Sequence, residues 1–157
     1  LFSEMIKKAK HLLKGMPEDK IIDTSINLNV PAYIENDYLP QAELRLEMYK
    51  RLAECKTLDE LEILKVEIVD RFGPFSKTFQ NLIELTKLKI ISMPLMIKRI
   101  IGTNKRIECT FDSESPILAD NKTNNVLVFN PQEDNSILFL QNTFSTIISN
   151  LKLDEAS

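Results

Sequence analysis

Residues 57–73 define one helix more sharply than any other stretch of the 157-residue chain. Thr57-x-x-Glu60 has the form of a capping box, in which each residue pairs with a backbone amide at the helix start. Gly73 and Pro74 end the helix, because glycine accepts a left-handed backbone and proline cannot continue the helical hydrogen bonds. Apolar residues recur along one side at helical spacing: Leu61, Leu64, Ile68 and Phe72. Any fold of this chain must bury that stripe.

A second side of the same helix carries charge. Glu67, Asp70 and Arg71 are spaced i, i+3 and i+4, and they are centred roughly 115° from the apolar stripe at about 100° per residue. Three interpretations stay open: an intrahelical Glu67–Arg71 pair, a bridge within the domain, and a docking surface for a partner. Ile63 lies in the same sector and adds weight to docking, because an apolar residue ringed by charge resembles an interface centre with a polar rim. On the helix geometry alone, the intrahelical pair remains the expectation. Arg71 would compete for both carboxylates, which argues against a catalytic or Mg²⁺-binding role.

Composition excludes several classes of function. A net charge of −3 argues against a dedicated nucleic-acid binder. The three glycines form neither a phosphate-binding loop nor a dinucleotide fingerprint. The single histidine, His11, lacks the partners of a catalytic triad or a metal site. We therefore predict no catalytic residue, no cofactor site and no metal site in this chain.

Cysteine usage and hydropathy indicate the compartment. Cys55 and Cys109 lack metal-like spacing and are expected to be free thiols in a reducing cytosol. No apolar run reaches the ~18 residues of a membrane span. A cytoplasmic location is the expectation.

Helical and strand patterns are segregated along the chain, which predicts the α+β class, with N-terminal helices packed on a small, mostly antiparallel sheet and a closing C-terminal helix. Predicted helices cover residues 3–14, 40–54, 58–72, a segment capped by Ser76, and 143–153. Predicted strands cover residues 25–30, 97–101, 106–111, 126–129 and 137–140. The helix over 40–54 has one apolar face made of Leu39, Ala42, Leu46, Tyr49 and Ala53.

Six cations fall between Glu84 and Glu108 with no acid among them. They are Lys87, Lys89, Lys98, Arg99, Lys105 and Arg106. Such a stretch either contacts phosphates or forms a solvated face.

Four runs of residues carry a resemblance to a known family. They are Pro31-Ala32-Tyr33-Ile34, Arg45-Leu46-x-x-Tyr49-Lys50-Arg51-Leu52-Ala53, Glu60-Leu61-x-x-Leu64-Lys65-x-Glu67-x-x-Asp70-Arg71-Phe72-Gly73, and Asn81-Leu82. Together they resemble the C-terminal domain of the bacterial transcription-repair coupling factor family, most strongly over residues 26–91. Residues 1–14 resemble the last helix of the preceding motor region, so we assign 1–24 to that helix and its linker and 25–157 to the domain, as part of a longer protein. The family usually has a glycine before the strand that follows its third long helix, and Met96 takes that place here.

The resemblance implies a function for the domain. The family's parent protein is an ATP-driven DNA translocase that displaces stalled RNA polymerase and recruits nucleotide excision repair, with its ATP and Mg²⁺ site upstream of this chain. The C-terminal domain is not an enzyme. It docks on an N-terminal UvrB-like module and masks the surface that binds UvrA. Its docking residues form an E-x-x-D-R motif, which is Glu67, Asp70 and Arg71 here, beside Ile63.

Two alternatives to the docking role stay open. In one, the chain is an accessory module that contacts DNA or RNA polymerase through residues 87–106. In the other, it is a structural cap on the motor.

Overall fold

The structure, a computed structural model, describes residues 22–118 and 125–156. Its helices are α1 (Ala42–Glu54), α2 (Leu58–Phe72), α3 (Lys77–Ser92) and α4 (Ser136–Ala156). Its strands are β1 (Ser25–Asn27), β2 (Ile97–Gly102), β3 (Ile107–Phe111) and β4 (Val126–Phe129). This order confirms the predicted α+β class. The helix predicted over residues 3–14 lies outside the described residues.

The chain divides into two compact units. The helical unit is Val30–Ile90, and the sheet unit combines the described residues before Val30 with those after Ile90. The helical unit has an apolar core to which α1, α2 and α3 all contribute. Fully buried members of this core are Leu39, Met48, Leu61, Ile68, Phe79 and Ile83. Each such side chain stabilises the fold by roughly 1.5–3 kcal/mol when it is removed from water, so this core holds α2 firmly in place.

The buried face of α1 differs from the predicted apolar face. Leu39, which precedes the helix, is buried as part of the core, but Leu46 is 71% exposed and Tyr49 is 37% exposed, and Ala42 and Ala53 are exposed as well. The helix buries Met48 and Leu52 instead. Both sets of residues recur at helical spacing, so periodicity alone does not choose between them. The backbone N–H of Ile34 donates to the Tyr49 hydroxyl at 2.7 Å, which holds Tyr49 at the edge of the unit.

Helix α2 begins and ends as its sequence indicates. Thr57 Oγ1 accepts a hydrogen bond from the Glu60 N–H at 3.1 Å. Glu60 Oε2 in turn accepts from the N–H of Lys56 at 2.9 Å, so the capping box is confirmed with its return bond one residue early. Gly73 has φ 94°, and its N–H donates to the carbonyl oxygen of Val69 at 2.9 Å. The predicted stripe is buried at Leu61, Leu64 and Ile68, and Phe72 packs against the same core.

Helix α3 is followed by a residue whose backbone is in the left-handed conformation. Ser76 Oγ accepts from the Phe79 N–H at 3.3 Å, so the predicted cap is confirmed. The helix ends at Ser92, and a short 3₁₀ turn, Met93–Leu95, follows it. Met96 then adopts φ 53° and ψ 47°, a conformation that glycine accepts most easily. The left-handed backbone of Met96 agrees with the expectation, drawn from the resemblance, that a glycine usually takes this place.

The sheet unit contains one sheet in the order β1-β2-β3-β4. β1 pairs with β2 in parallel and the other pairs are antiparallel, which confirms a mostly antiparallel sheet. Ile100 lies opposite Cys109 in the register, and both side chains are buried. β1 is shorter than the predicted strand 25–30, because Asn29 has a positive φ of 55° that interrupts the extended backbone.

The strand predicted over residues 137–140 is wrong, because these residues form the first turns of α4. Asn135 Oδ1 accepts from the Leu138 N–H at 3.0 Å, as an N-terminal cap does. Ile137, Leu140 and Phe144 are buried at spacings of three and four residues, which is the helical period. The helix predicted over 143–153 therefore begins at Ser136.

Candidate docking surface

The outer side of α2 carries all the residues that the sequence assigned to docking. Ile63 is 70% exposed, and Asp70 and Arg71 are also exposed. Glu67 lies between them and is half-buried. Because Leu61, Leu64 and Ile68 anchor a neighbouring side of the helix in the core, these four residues are held at the surface of the helical unit.

Val66 also belongs to this exposed surface, although its sequence position was not predicted to be part of a docking site. It is 59% exposed and lies one helical turn from both Ile63 and Asp70. Two apolar side chains thus stand together in a charged surrounding, which has the composition of an interface centre inside a polar rim. The angular position of Val66, opposite the buried stripe, is the signal that would have identified it.

Arg51, on α1, forms a bidentate salt bridge with Glu67 through both terminal nitrogens of its guanidinium. Arg51 Nη2 donates to Glu67 Oε1 at 2.8 Å, and Arg51 Nη1 donates to Glu67 Oε2. Arg71 Nη1 donates to the same Oε2 at 3.3 Å. The intrahelical pair and the intradomain bridge are therefore both present. Arg51 was not predicted as a site residue, although it lies in one of the four runs that carry the family resemblance.

The two arginines keep Glu67 ionised. The hydrogen bonds from Arg51, followed by its charge and by the contact with Arg71, lower the pKa of Glu67 from 4.5 to about 2. The hydrogen bond with Glu67 in turn raises the pKa of the Arg51 guanidinium. A carboxylate with so low a pKa is a weak general base at neutral pH. The geometry therefore favours recognition over acid–base catalysis at Glu67.

Arg71 is held from two directions. Besides its bond to Glu67, its guanidinium lies 4.8 Å from the centre of the Phe72 ring. A cation over an aromatic face at a surface contributes about 0.5–1 kcal/mol. Phe72 itself packs against the core, so Arg71 rests on a fixed support while 43% of its side chain stays exposed.

A shallow cleft of about 270 Å³ adjoins this surface between the end of α1 and the start of α2. It is lined by Arg51, Glu54, Cys55, Glu60, Ile63 and Leu64. Cys55 Sγ donates to the carbonyl oxygen of Arg51 at 3.4 Å, and burial, aided by nearby acids, raises the pKa of its thiol. Cys55 is therefore mostly uncharged near neutral pH, and the cleft offers a partner both charged side chains and the exposed side chain of Ile63.

Both cysteines are free thiols, as predicted. Burial raises the pKa of Cys109 to about 12, so this thiol behaves as a small apolar core residue. Across residues 22–118 and 125–156, His, Cys, Asp and Glu side chains do not gather in threes in a metal-binding arrangement. No helix in this described part of the chain is long and apolar enough to cross a membrane.

The basic stretch 87–106 is divided between the two units. Lys87 and Lys89 belong to α3, whereas Lys98 and Arg99 are exposed residues of β2. Farther along, the Arg106 guanidinium is paired with the Glu108 carboxylate at 3.1 Å. The sequence run does not by itself define one basic surface.

Comparison with known proteins gives consistent matches in sequence. A family model described as the TRCF domain matches residues 28–122. The transcription-repair-coupling factor of Escherichia coli strain K12 is 33% identical over 110 residues, which covers 67% of this chain and 10% of that protein. The protein of the same name from Haemophilus influenzae is 36% identical over 105 residues, which covers 64% of this chain and 9% of that protein. The chain thus spans about a tenth of the length of these relatives.

A solved structure matches over most of both chains. It is described as the crystal structure of the C-terminal domain of transcription-repair coupling factor, with a TM-score of 0.73. The match covers 87% of this chain and 96% of that one at 21% sequence identity. At this identity the likeness concerns the fold, and it supports the α+β assignment.

Proposed function

The chain belongs to the transcription-repair coupling factor family, as its C-terminal domain, and from this premise we propose that it is an autoinhibitory docking module. In this proposal the parent protein is an ATP-dependent DNA translocase that couples transcription to nucleotide excision repair. The domain docks on the N-terminal UvrB-like module and masks its UvrA-binding surface. Contacts with RNA polymerase and DNA, and the use of ATP and Mg²⁺, belong to other parts of the parent protein.

One observation carries the proposal. Ile63, 70% exposed, and Val66, 59% exposed, stand near Asp70 and Arg71 on a helix that is anchored in the core by Leu61, Leu64 and Ile68. Protein interfaces commonly have this composition, with an apolar centre inside a polar rim. A rigid helix face also loses little conformational freedom when it binds.

The chemistry of the charged residues suggests how docking works. Arg71 presents a planar guanidinium that suits a bidentate bond to a carboxylate on the partner. Asp70 is exposed and accepts from a basic residue there. Ile63 and Val66 fill the space between these polar contacts. Removing one member of a charge pair that is desolvated on docking costs about 2–5 kcal/mol, which is enough to shift a closed state strongly toward an open one.

Binding of this domain to the separately expressed N-terminal module tests the proposal. We expect wild type to bind and Arg71→Ala to bind at least tenfold more weakly, which corresponds to about 1.4 kcal/mol. Lys65→Ala is the matched control, because Lys65 is a cation on the same helix that pairs with Glu62 at 3.1 Å. Equal affinity of wild type and Arg71→Ala would contradict the assigned site. Tight, steeply salt-dependent binding to duplex DNA would instead support the nucleic-acid alternative.

A further inference from the structure

The charged cluster on the docking face extends beyond the E-x-x-D-R motif. Arg51 comes from α1, sixteen positions before Glu67, and reaches across to α2. A carboxylate offers about four acceptor positions. On Glu67, Arg51 occupies two of these acceptor positions, and Arg71 occupies a third. Most of the hydrogen-bonding capacity of Glu67 is thus satisfied inside the domain.

We infer that Arg51 is a positioning residue of the docking surface: it fixes Glu67, and through Glu67 it fixes Arg71 in the orientation that meets the partner. This inference rests on the docking function proposed above. The motif counts Glu67 among the docking residues, whereas this inference assigns Glu67 an internal role and leaves Arg71, Asp70 and the apolar pair as the groups that touch the partner.

Side-chain entropy supplies the physical reason. Glutamate and arginine side chains at a surface sample several rotamers, and ordering them on binding costs free energy. The fork of Arg51 removes that freedom from Glu67 before docking, because two parallel N–H···O bonds define both the position and the plane of the carboxylate. Glu67 and the Phe72 ring then restrict Arg71. The partner therefore meets a surface that is already ordered.

The opposite role for Arg51 makes the opposite prediction. If Glu67 itself bound a basic residue of the partner, Arg51 would compete for the same carboxylate. Removing Arg51 would then release Glu67 and strengthen docking. The sign of the effect of Arg51→Gln therefore separates positioning from competition.

The experiment uses the full-length parent protein with one dye in the N-terminal module and one in this domain. Energy transfer between the dyes reports the docked fraction, and added sodium chloride brings wild type to the midpoint, where a shift of either sign is visible. The variants are Arg51→Gln, Glu67→Gln, their combination, Arg51→Lys and Arg71→Ala. Lys50→Gln is the matched control, because it removes the same charge from an adjacent, exposed position of α1.

We expect Arg51→Gln to lower the docking constant about three- to tenfold, the loss expected when one or two ordered side chains become free. Adding Arg51→Gln to Glu67→Gln should change nothing further, because Arg51 acts through Glu67. Arg51→Lys should lower the docking constant almost as much as Arg51→Gln, since an ammonium retains the charge but cannot make the two parallel hydrogen bonds of a guanidinium. Lys50→Gln should leave docking unchanged.

Several outcomes would overturn the inference. Docking that is unchanged or stronger in Arg51→Gln excludes a positioning role. The same conclusion follows if Arg51→Gln lowers docking equally in wild type and in the Glu67→Gln variant. Full rescue by Arg51→Lys would mean that charge alone matters. If Arg71→Ala lowers docking while Arg51→Gln does not, only this inference fails. If Arg71→Ala also has no effect, the proposed docking site fails with it.

Discussion

Glu67 couples the stability of the helical unit to pH. Its pKa is about 2 in the folded chain, against an ordinary value of 4.5. A group whose pKa is depressed by folding stabilises the folded state above its unfolded pKa, and that contribution is lost as pH falls through the folded value. The free energy that Glu67 contributes should therefore be complete above about pH 5 and disappear toward about pH 2.

Urea unfolding of wild type and Glu67→Gln across this range measures the effect. The stability difference between the two proteins should shrink steadily as the pH falls from 4.5 to about 2. Glu62→Gln is the control, since Glu62 is another carboxylate of α2 but is 64% exposed. The opposite result is a difference in unfolding free energy between wild type and Glu67→Gln that is as large near about pH 2.5 as near about pH 7. That result would show that the arginines do not hold this carboxylate in its charged form.

Met96 stores backbone strain in a buried place. Its φ of 53° is left-handed, and its side chain is only 6% exposed. Met96→Gly and Met96→Ala both remove the buried side chain, so both should destabilise the fold. Only glycine relieves the left-handed strain, so Met96→Gly should be more stable than Met96→Ala by about 1 kcal/mol. Chemical denaturation of the two variants checks this, and an alanine variant as stable as the glycine variant would contradict it.

At the scale of elements, the Thr57 cap determines how firmly α2 presents its outer face. Thr57 Oγ1 satisfies the Glu60 N–H at the first turn. Thr57→Ala should cost about 1 kcal/mol of unfolding free energy, whereas Thr57→Ser should retain most of the stability because serine also accepts this bond. Fraying measured by amide hydrogen exchange should increase in the first turn of α2 in the alanine variant alone. Equal protection in both variants would mean that tertiary packing, and not the cap, holds the turn.

The elements that sequence predicts best are those with local end signals. Thr57 and Gly73 mark the limits of α2, and Ser76 marks the start of α3. The apolar pattern of residues 137–140 does not distinguish a strand from a helix, because four consecutive apolar residues fit a strand and a buried helix equally well. The cap at Asn135 was the one local feature that pointed to a helix there.

The orientation of α1 shows the limit of periodicity. Leu46 and Tyr49 belong to one apolar stripe of this helix, and Met48 and Leu52 belong to another. Which stripe is buried depends on contacts with residues far along the chain, so the sequence pattern of α1 alone does not decide it. The same limit applies to Arg51, since its bond to Glu67 depends on how α1 lies against α2.

At the scale of the whole molecule, the candidate site combines a motif and a geometry. Glu67, Asp70 and Arg71 were predicted from the sequence because they are neighbours on one helix and because the family resemblance implies a docking motif there. Val66 and Arg51 became apparent only from exposure and from contacts between helices. In the proposed docking role, the effect of this surface on the parent protein depends on an intramolecular equilibrium. A shift from 1:99 to 99:1 needs about 5.5 kcal/mol, which is comparable to the loss of one or two desolvated charge pairs.

The affinity of the full-length parent protein for UvrA tests the autoinhibitory docking role most directly. If the domain masks the UvrA-binding surface through Arg71, full-length Arg71→Ala should bind UvrA at least tenfold more tightly than wild type. Full-length Lys65→Ala, which changes a cation of the same helix, should bind like wild type. Equal UvrA affinity of Arg71→Ala and wild type, with both proteins folded, would contradict autoinhibition through this surface.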